Sequence, residues 1–517
     1  MRLPDLPISN IRNRKEQVPV RGINFSDEMN DGDLAVCQNL SNRRWPYLAT
    51  RNARQQQNRA ANTPYTGVTA LTNWNGLVAV SGTDLLYQGT KVGDVTAGVK
   101  QFAAVNTKLV IWPDKVFLDM NELTVKPLEA QETATKAVFS ADQKGVTFTG
   151  TGDLTQKFHA GDGVELSGFQ TLTGNNRSLV IKTVTADTIT IQAATFVTGE
   201  ETADIIIRRK VPDMDFICES GNRLWGVSND DKTIYSSVLG DPTNFYVYDG
   251  LSTDGYALPI GSEGDFTGCC KLSTSLLFWK ERTLHKILGD YPAEYVMYSY
   301  DIEGLRAGCH RSMTIINDVL FYVGLHGVFT YAGGSPSDIS LNFGTHELTE
   351  AVGGTDGEKY YLSALDNGSP ALFTFNPNEG AWLQEDSLRF TDTARIGKDV
   401  YLLKSDGTVW LEDSLEDDDD VEWVAQYTPF YETIEGRKRL SRIMLRVELA
   451  AGAWIKVEYS ADDAPWEEVD KVTRQKTDTV SIVTTPHRCD QYRIRMTGKG
   501  PCVIKGVLRE FIIGGYG

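Results

Sequence analysis

Six histidines (His159, His285, His310, His326, His346, His487) and seven cysteines (Cys37, Cys218, Cys269, Cys270, Cys309, Cys489, Cys502) are the side chains best suited to metal or nucleophile chemistry. Their spacing serves neither. No histidine has another two or four residues away, so no pair shares one face of a strand or helix as metal ligands do. The cysteines form no C-x-x-C pair, and their odd number fits reduced, mostly buried thiols. Cys269 and Cys270 adjoin at a strand start and point to opposite faces, which makes them poor joint ligands. Neither a G-x-S-x-G elbow nor a P-loop is present. The acidic run Asp417–Asp420 lacks the alternating oxygens and glycine turn of a calcium loop and reads as solvated charge. No catalytic, cofactor-binding or metal residue is expected, no cofactor, and no enzyme.

Ser405-Asp406-Gly407-Thr408-Val409-Trp410 resembles the Asp-box of sialidase-like propellers, which would imply glycoside cleavage. The box places one residue between Ser and Asp and another between Asp and Gly. Both are missing here, and the motif occurs once. Asp-Gly between two strands is the ordinary hairpin turn. A glycosidase also needs two carboxylates facing each other across a cleft, which spacing along a chain does not display.

The elements that would position any site are strands. Seven times a polar turn leads into a short apolar strand, a second tight turn and another apolar strand. The copies begin at Asn75, Asn106, Asn222, Thr274, Asn317, Gly357 and Lys398, and their second strands lie at Leu85-Leu86-Tyr87, Val116-Phe117-Leu118, Thr233-Ile234-Tyr235, Thr283-Leu284-His285, Gly327-Val328-Phe329, Ala371-Leu372-Phe373 and Thr408-Val409-Trp410. Most intervals are roughly 40 residues, the length of a four-stranded propeller blade. The gap from Asn106 to Asn222 is too long for one blade. It is filled by Thr-, Val- and Ile-rich alternation such as Thr188-Ile189-Thr190-Ile191, which predicts a small inserted sandwich or barrel. Alternating strands return from Gln426 and predict a C-terminal antiparallel sandwich.

The expected fold is therefore all-β: a β-propeller of about seven blades with an inserted small β-sandwich or barrel and a C-terminal β-sandwich. The domains read as an N-terminal arm (1–62), a first propeller part (63–131), the insert (132–209), a second propeller part (210–414), an acidic linker (415–425) and the sandwich (426–517). Within the arm, Arg54–Asn62 has no apolar periodicity and is expected as an extended or mobile loop. Met1-Arg2-Leu3-Pro4-Asp5 opens without a secretory signal, and no apolar run reaches the roughly 18 to 20 residues that cross a bilayer, so cytoplasmic synthesis is expected.

The net charge is −18 over 517 residues, which disfavours a duplex-wrapping protein. The charge is unevenly placed. Arg12, Arg14, Lys15, Arg21, Arg43, Arg44, Arg51, Arg54 and Arg59 crowd the first sixty residues, whereas Glu412 to Glu422 is acidic. That asymmetry reads either as docking surfaces between unlike partners or copies, or as solvated loops.

Gly221-Asn222-Arg223-Leu224-Trp225-Gly226-Val227, followed by Thr233-Ile234-Tyr235-Ser236-Ser237-Val238-Leu239-Gly240-Asp241-Pro242-Thr243-Asn244-Phe245, resembles virion proteins of tailed phages, many of which carry "Y-x-S-x-L-G-D-P-x-N-F" after a strand. Arg21-Gly22-Ile23-Asn24, Cys37-Gln38-Asn39-Leu40 and Arg51 resemble the opening of such proteins, with Arg51-Asn52-Ala53 standing where Arg-x-Gly is usual. Arg439 to Arg446, Pro486, Asp490-Gln491-Tyr492-Arg493-Ile494-Arg495 and Gly498-Lys499-Gly500 are similar to their C-terminal sandwich. The group is that of tail nozzle or tail tubular protein B, with DNA-stabilisation and tail-accessory proteins close by.

The resemblance implies a virion tail protein, made in the host cytoplasm and assembled as a homo-oligomeric ring, a hexamer, beside tube, adaptor and fibre proteins. Such a ring closes the tail and lets DNA pass at ejection without specific binding. One alternative is a receptor-binding tail protein contacting a host surface glycan, with Phe169 and Phe196 of the insert as the aromatic candidates. A neck plug that stabilises packaged DNA is another, and a glycan-cleaving propeller is disfavoured by the missing repeated Asp-boxes.

Overall fold

The computed structural model describes residues 12–17, 21–59, 62–191, 195–432, 437–473, 479–484 and 487–513. Met1–Asp5, Ala60, Ala61 and Pro486, used above, lie outside the described residues. Among the described residues there are five short 3-10 turns and no α-helix. The chain is an all-β protein of propeller type. It contains seven four-stranded sheets, a closed six-stranded barrel and two further sheets of five and six strands.

Each hairpin anticipated above is the middle pair of its own four-stranded sheet, the first and last included. The second strands, such as Arg223–Ser228 and Ser275–Trp279, are buried from end to end. A strand covered on both faces has no solvent side to alternate with, so it reads as a continuous apolar run. The recurring asparagines are the turn into that strand. Asn75, Asn106, Asn222 and Asn317 have φ of 52°, 57°, 57° and 49°, a left-handed conformation that asparagine tolerates better than most residues. The fourth strands, such as Thr90–Asp94 and Thr124–Pro127, are exposed edges without an apolar pattern, and they left no signal in the sequence.

The chain forms two compact units. The first comprises Asn58–Met313 with Asp318–Leu320. It holds four blades, whose adjacent faces are filled by Val78, Val80, Leu109 and Ile111, by Val110, Trp112, Leu224 and Phe245, and by Trp225, Ile234, Phe278 and Ile287 in turn. Between its second and third blades the strands from Ala130–Phe139 to Glu200–Arg209 close the inserted barrel. Phe139, Phe148, Phe158, Phe169 and Phe196 fill it together with branched aliphatics.

The second unit comprises Met1–Gln57, Thr314–Asn317 and Phe321–Gly517. Here the N-terminal segment, read from the sequence as an arm, is built into the sheets of the unit. Leu34–Gln38 pairs with Glu422–Tyr427 in the five-stranded sheet, and Tyr47–Thr50 and Arg12–Gln17 both pair with Cys502–Ile513 in the six-stranded one. Gln55–Gln56 completes the seventh blade beside Val409–Leu411, with Gln57 N donating to Val409 O at 2.8 Å. The loop reading of Arg54–Asn62 is thus corrected at Gln55–Gln56. Both residues are exposed, so the strand carries no apolar alternation and composition alone mistook it for a loop.

Candidate functional site

Three constellations concentrate the polar chemistry of the chain. The first is centred on Arg54, which ends the N-terminal segment's run past the sixth and seventh blades. Its guanidinium donates to Glu412 Oε2 at 2.6 Å, to Glu412 Oε1 and Glu385 Oε2 at 3.1 Å each, and to Asp386. The side chains of Arg54, Glu385 and Glu412 are all more than nine-tenths buried. One cation cannot neutralise three carboxylates at close range. Glu385 resolves the excess by holding its proton: burial and the neighbouring Glu412 charge raise its pKa well above the carboxylate range, and the two carboxyls share a hydrogen bond. Removing Arg54 from such a cluster would cost on the order of 3–5 kcal/mol.

The same pairing extends along the segment. Arg51 binds Asp418 at 3.2 Å and Arg43 binds Asp417 at 2.8 Å. The backbone follows, with Ala53 N donating to Glu416 O at 2.8 Å. The basic N-terminal block and the acidic stretch therefore meet within one chain; Asp418 is partly buried by the contact, while Asp417 keeps its place in solvent.

The second constellation fastens the inserted barrel. Arg223, 1% exposed, donates to the backbone oxygens of Ser237 at 2.9 Å and Ser252 at 2.7 Å. Ser237 Oγ accepts from Leu224 N at 3.0 Å. Asp241 Oδ1 accepts from Thr243 N, Thr243 Oγ1 and Lys108 Nζ. Asn244 then reaches into the barrel: its Nδ2 donates to Gly161 O at 2.8 Å and its Oδ1 accepts from Gly163 N at 3.1 Å. A Cβ on Gly163 would come within 2.4 Å of Tyr246 O, so only glycine permits this approach. From the barrel side, Arg209 donates to Asp162 Oδ2 at 2.7 Å, and Lys115 bridges Glu129 and Val211 O where the chain enters and leaves the barrel. Phe245 packs beside Val211 and Met214 in the adjoining core. The residues matching the phage-protein motif, Tyr235 to Phe245, thus include the fastener between the third blade and the barrel.

The third is a cleft of about 570 Å³ in the second unit. Asn42 and Trp45 from the N-terminal segment, Asp356, Tyr361 and Glu379 from the sixth blade, and Glu412 line it. Glu379 accepts from Asn42 Nδ2 and, at 3.0 Å, from Asn376 Nδ2; burial raises its pKa. Tyr361 OH donates to Asp356 Oδ2 at 3.1 Å, and burial followed by that carboxylate pushes the phenol pKa up. Asn42 Oδ1 is buried with no partner. Carboxylates do face one cleft here, Asp356, Glu379 and Glu412 among them, and Asn42 and Trp45 join them from more than three hundred residues away in sequence.

The aromatic, turn, thiol and imidazole residues weighed in the sequence fall outside these sites. Phe169 and Phe196, considered as glycan-stacking aromatics, are each 2% exposed and plug the barrel, with Phe139 5.5 and 4.9 Å away. Asp406 holds its hairpin turn, accepting from Thr408 N at 2.9 Å and Thr408 Oγ1 at 2.6 Å. None of the seven cysteines forms a disulfide, and five are buried. His285 sits between Ser262 and Ser299 hydroxyls at 2.9 and 2.8 Å, and burial beside Lys280 pushes its pKa down to about 4. Among the described residues no three His, Cys, Asp or Glu side chains group as a metal site.

No family model and no curated protein matches the chain. Solved structures do. The chain is similar to an exo-β-1,3-galactanase of Phanerochaete chrysosporium at 9% identity, covering 57% of this chain and 94% of that one with a TM-score of 0.22. It is similar to the extracellular domain of a one-component system of B. thetaiotaomicron at 10% identity, covering 89% and 63% with a TM-score of 0.37. A bifunctional GH43-CE protein of Bacteroides eggerthii matches at 9% identity, covering 58% and 62% with a TM-score of 0.21. The expectation that this chain is not an enzyme is corrected by this finding: glycoside hydrolases stand among the matched structures, so the fold gives no ground for excluding catalysis. Likenesses this distant carry nothing about this chain's substrate.

Two outcomes follow from these geometries. Because Glu385 binds its proton more tightly folded than unfolded, stability falls as pH rises above the usual glutamate value of 4.5. Glu385→Gln keeps a neutral donor towards Glu412 and removes that loss. Its melting-temperature gain over the parent chain should be small near pH 5 and grow towards pH 8; a constant or shrinking difference would contradict the assignment. Asn244→Ala should cost about 1–3 kcal/mol through the unpaired Gly161 and Gly163 groups. Hydrogen exchange should then accelerate at Gly161–Gly163 while the fourth blade is unchanged.

Proposed function

We propose that this chain is a structural component of a phage tail, one of six copies in a ring that closes the tail as a nozzle or distal tube and lets DNA pass at ejection. The observation that carries the reading is the Tyr235–Phe245 segment. The residues that resemble the tail proteins' motif are the ones that hold an inserted barrel against its blade, the kind of constraint a subunit needs to present an insert in fixed orientation.

Two further observations support it. The edge strand Val296–Asp301 of the fourth blade exposes Val296, Tyr298 and Tyr300, with the two tyrosine rings 6.5 Å apart. An unpaired edge carrying aromatics suits a neighbouring copy or another tail protein. The net charge of −18 suits a wall past which DNA moves, because adhesion would need lysine and arginine. The receptor-binding alternative loses its candidate platform, since Phe169 and Phe196 face the barrel interior.

Gold-labelled antibody against the chain, applied to intact particles from its source and imaged by electron microscopy, tests the proposal. Label at the tail tip is expected. Label at the head–tail neck would replace the nozzle with the plug, and particles without label beside labelled free protein would end the virion reading.

A further inference from the structure

The cleft lined by Asn42, Trp45 and Glu379 has no task in the tail reading, and the inference drawn from it is independent of that reading. Its volume of about 570 Å³ falls inside the roughly 300–1,000 Å³ usual for small-ligand pockets. Its wall alternates hydrogen-bond donors and acceptors: the Asn376 amide, the Tyr361 hydroxyl, the Asp356 and Glu379 carboxyls, and Asn42. Burial raises the Glu379 pKa, and its carboxyl accepts from both asparagine amides.

Two features narrow the ligand. Trp45 is 39% exposed at the same wall, on a tight turn closed by Trp45 N donating to Asn42 O at 2.8 Å. A half-exposed indole beside a polar cleft offers a flat apolar face next to hydrogen-bonding groups. The acids spread along the wall do not converge as a metal site among the described residues. They outnumber the basic groups Arg43, Arg44, Lys359 and Lys398 that share it, so an anionic ligand is disfavoured.

A molecule with a flat face of C–H bonds, several hydroxyls and no charge meets both requirements. We propose that this cleft binds a short neutral saccharide, with Trp45 stacked on a sugar face and Asn376, Asp356 and Glu379 bonded to its hydroxyls.

Saturation-transfer NMR and calorimetry on the full chain test this with maltotriose, mannotriose, β-1,3-galactotriose and N-acetylchitotriose, and with trigalacturonate as the anionic control. At least one neutral trisaccharide should bind and trigalacturonate should not. Trp45→Ala should weaken that binding about ten-fold or more, the scale of a lost aromatic contact, while Trp45→Tyr retains most of it. Glu379→Gln, which leaves the Asn42 contact in place, provides a second probe of the same wall and should alter affinity without lowering the melting temperature. Absence of binding by every neutral trisaccharide, equal binding by trigalacturonate, or affinity indifferent to both Trp45→Ala and Glu379→Gln would overturn the proposal.

Discussion

A single buried guanidinium sets the terms for one of the two units. Arg54 gathers Glu385 and Asp386 from the end of the sixth blade and Glu412 from just beyond the seventh, more than three hundred residues away along the chain. Ionised carboxylates in so dry a place would repel each other by several kcal/mol. The cation and the retained Glu385 proton make the cluster tolerable. Once Arg54 is fixed, Gln55–Gln56 lie against Val409–Leu411, and the strands before it lie in the five- and six-stranded sheets. Blade completion and sandwich assembly therefore draw on one N-terminal segment whose register a charge cluster determines. The cleft is a by-product of the same path, since Asn42 and Trp45 become its wall only when the segment runs there.

The other unit solves a different problem. A closed barrel carries its own core and needs nothing from the propeller to fold, so its attachment has to be specified separately. Asn244 and Lys115 do so through groups that are buried or backbone-bonded, each with a defined partner. Satisfied polar contacts of this type fix orientation, which apolar packing alone leaves looser.

Much of this was legible in the sequence because its signals are local. Doubly buried middle strands such as Ser275–Trp279 write themselves as apolar runs, and left-handed turns write themselves as asparagine. The alternation from Val146 to Ile207 announced a separate β-module with its own core. Exposed edges left no such record. Gln55–Gln56 looked like a polar loop, and Thr124–Pro127 gave no strand signal of its own.

The sites were less readable, since charge in a sequence has a sign but no address. The arginines at 43, 51 and 54 and the acids from 412 to 418 were visible as two opposite blocks. Their meeting inside one unit depended on where the strands between them were placed. Glu379 and Asn42 carried no motif at all. Their significance comes from burial and from an unmet hydrogen bond, which exist only in three dimensions. Asn244, by contrast, stood inside a segment already marked by its resemblance, and the structure supplies that residue's physical task.

The claim on which the rest depends is that the segment through Arg54 to Gln57 is a built-in strand. Native-state hydrogen exchange of the full chain addresses it directly, by comparing the Gln57 amide with those of Leu402 and Leu403 in the same blade. Protection of Gln57 approaching that of the central strand is the predicted result, because its N–H is bonded to Val409 O beside a buried ion cluster. Exchange as fast as in the exposed hairpin turn at Asp406–Gly407 would show the segment unpaired and would contradict the account.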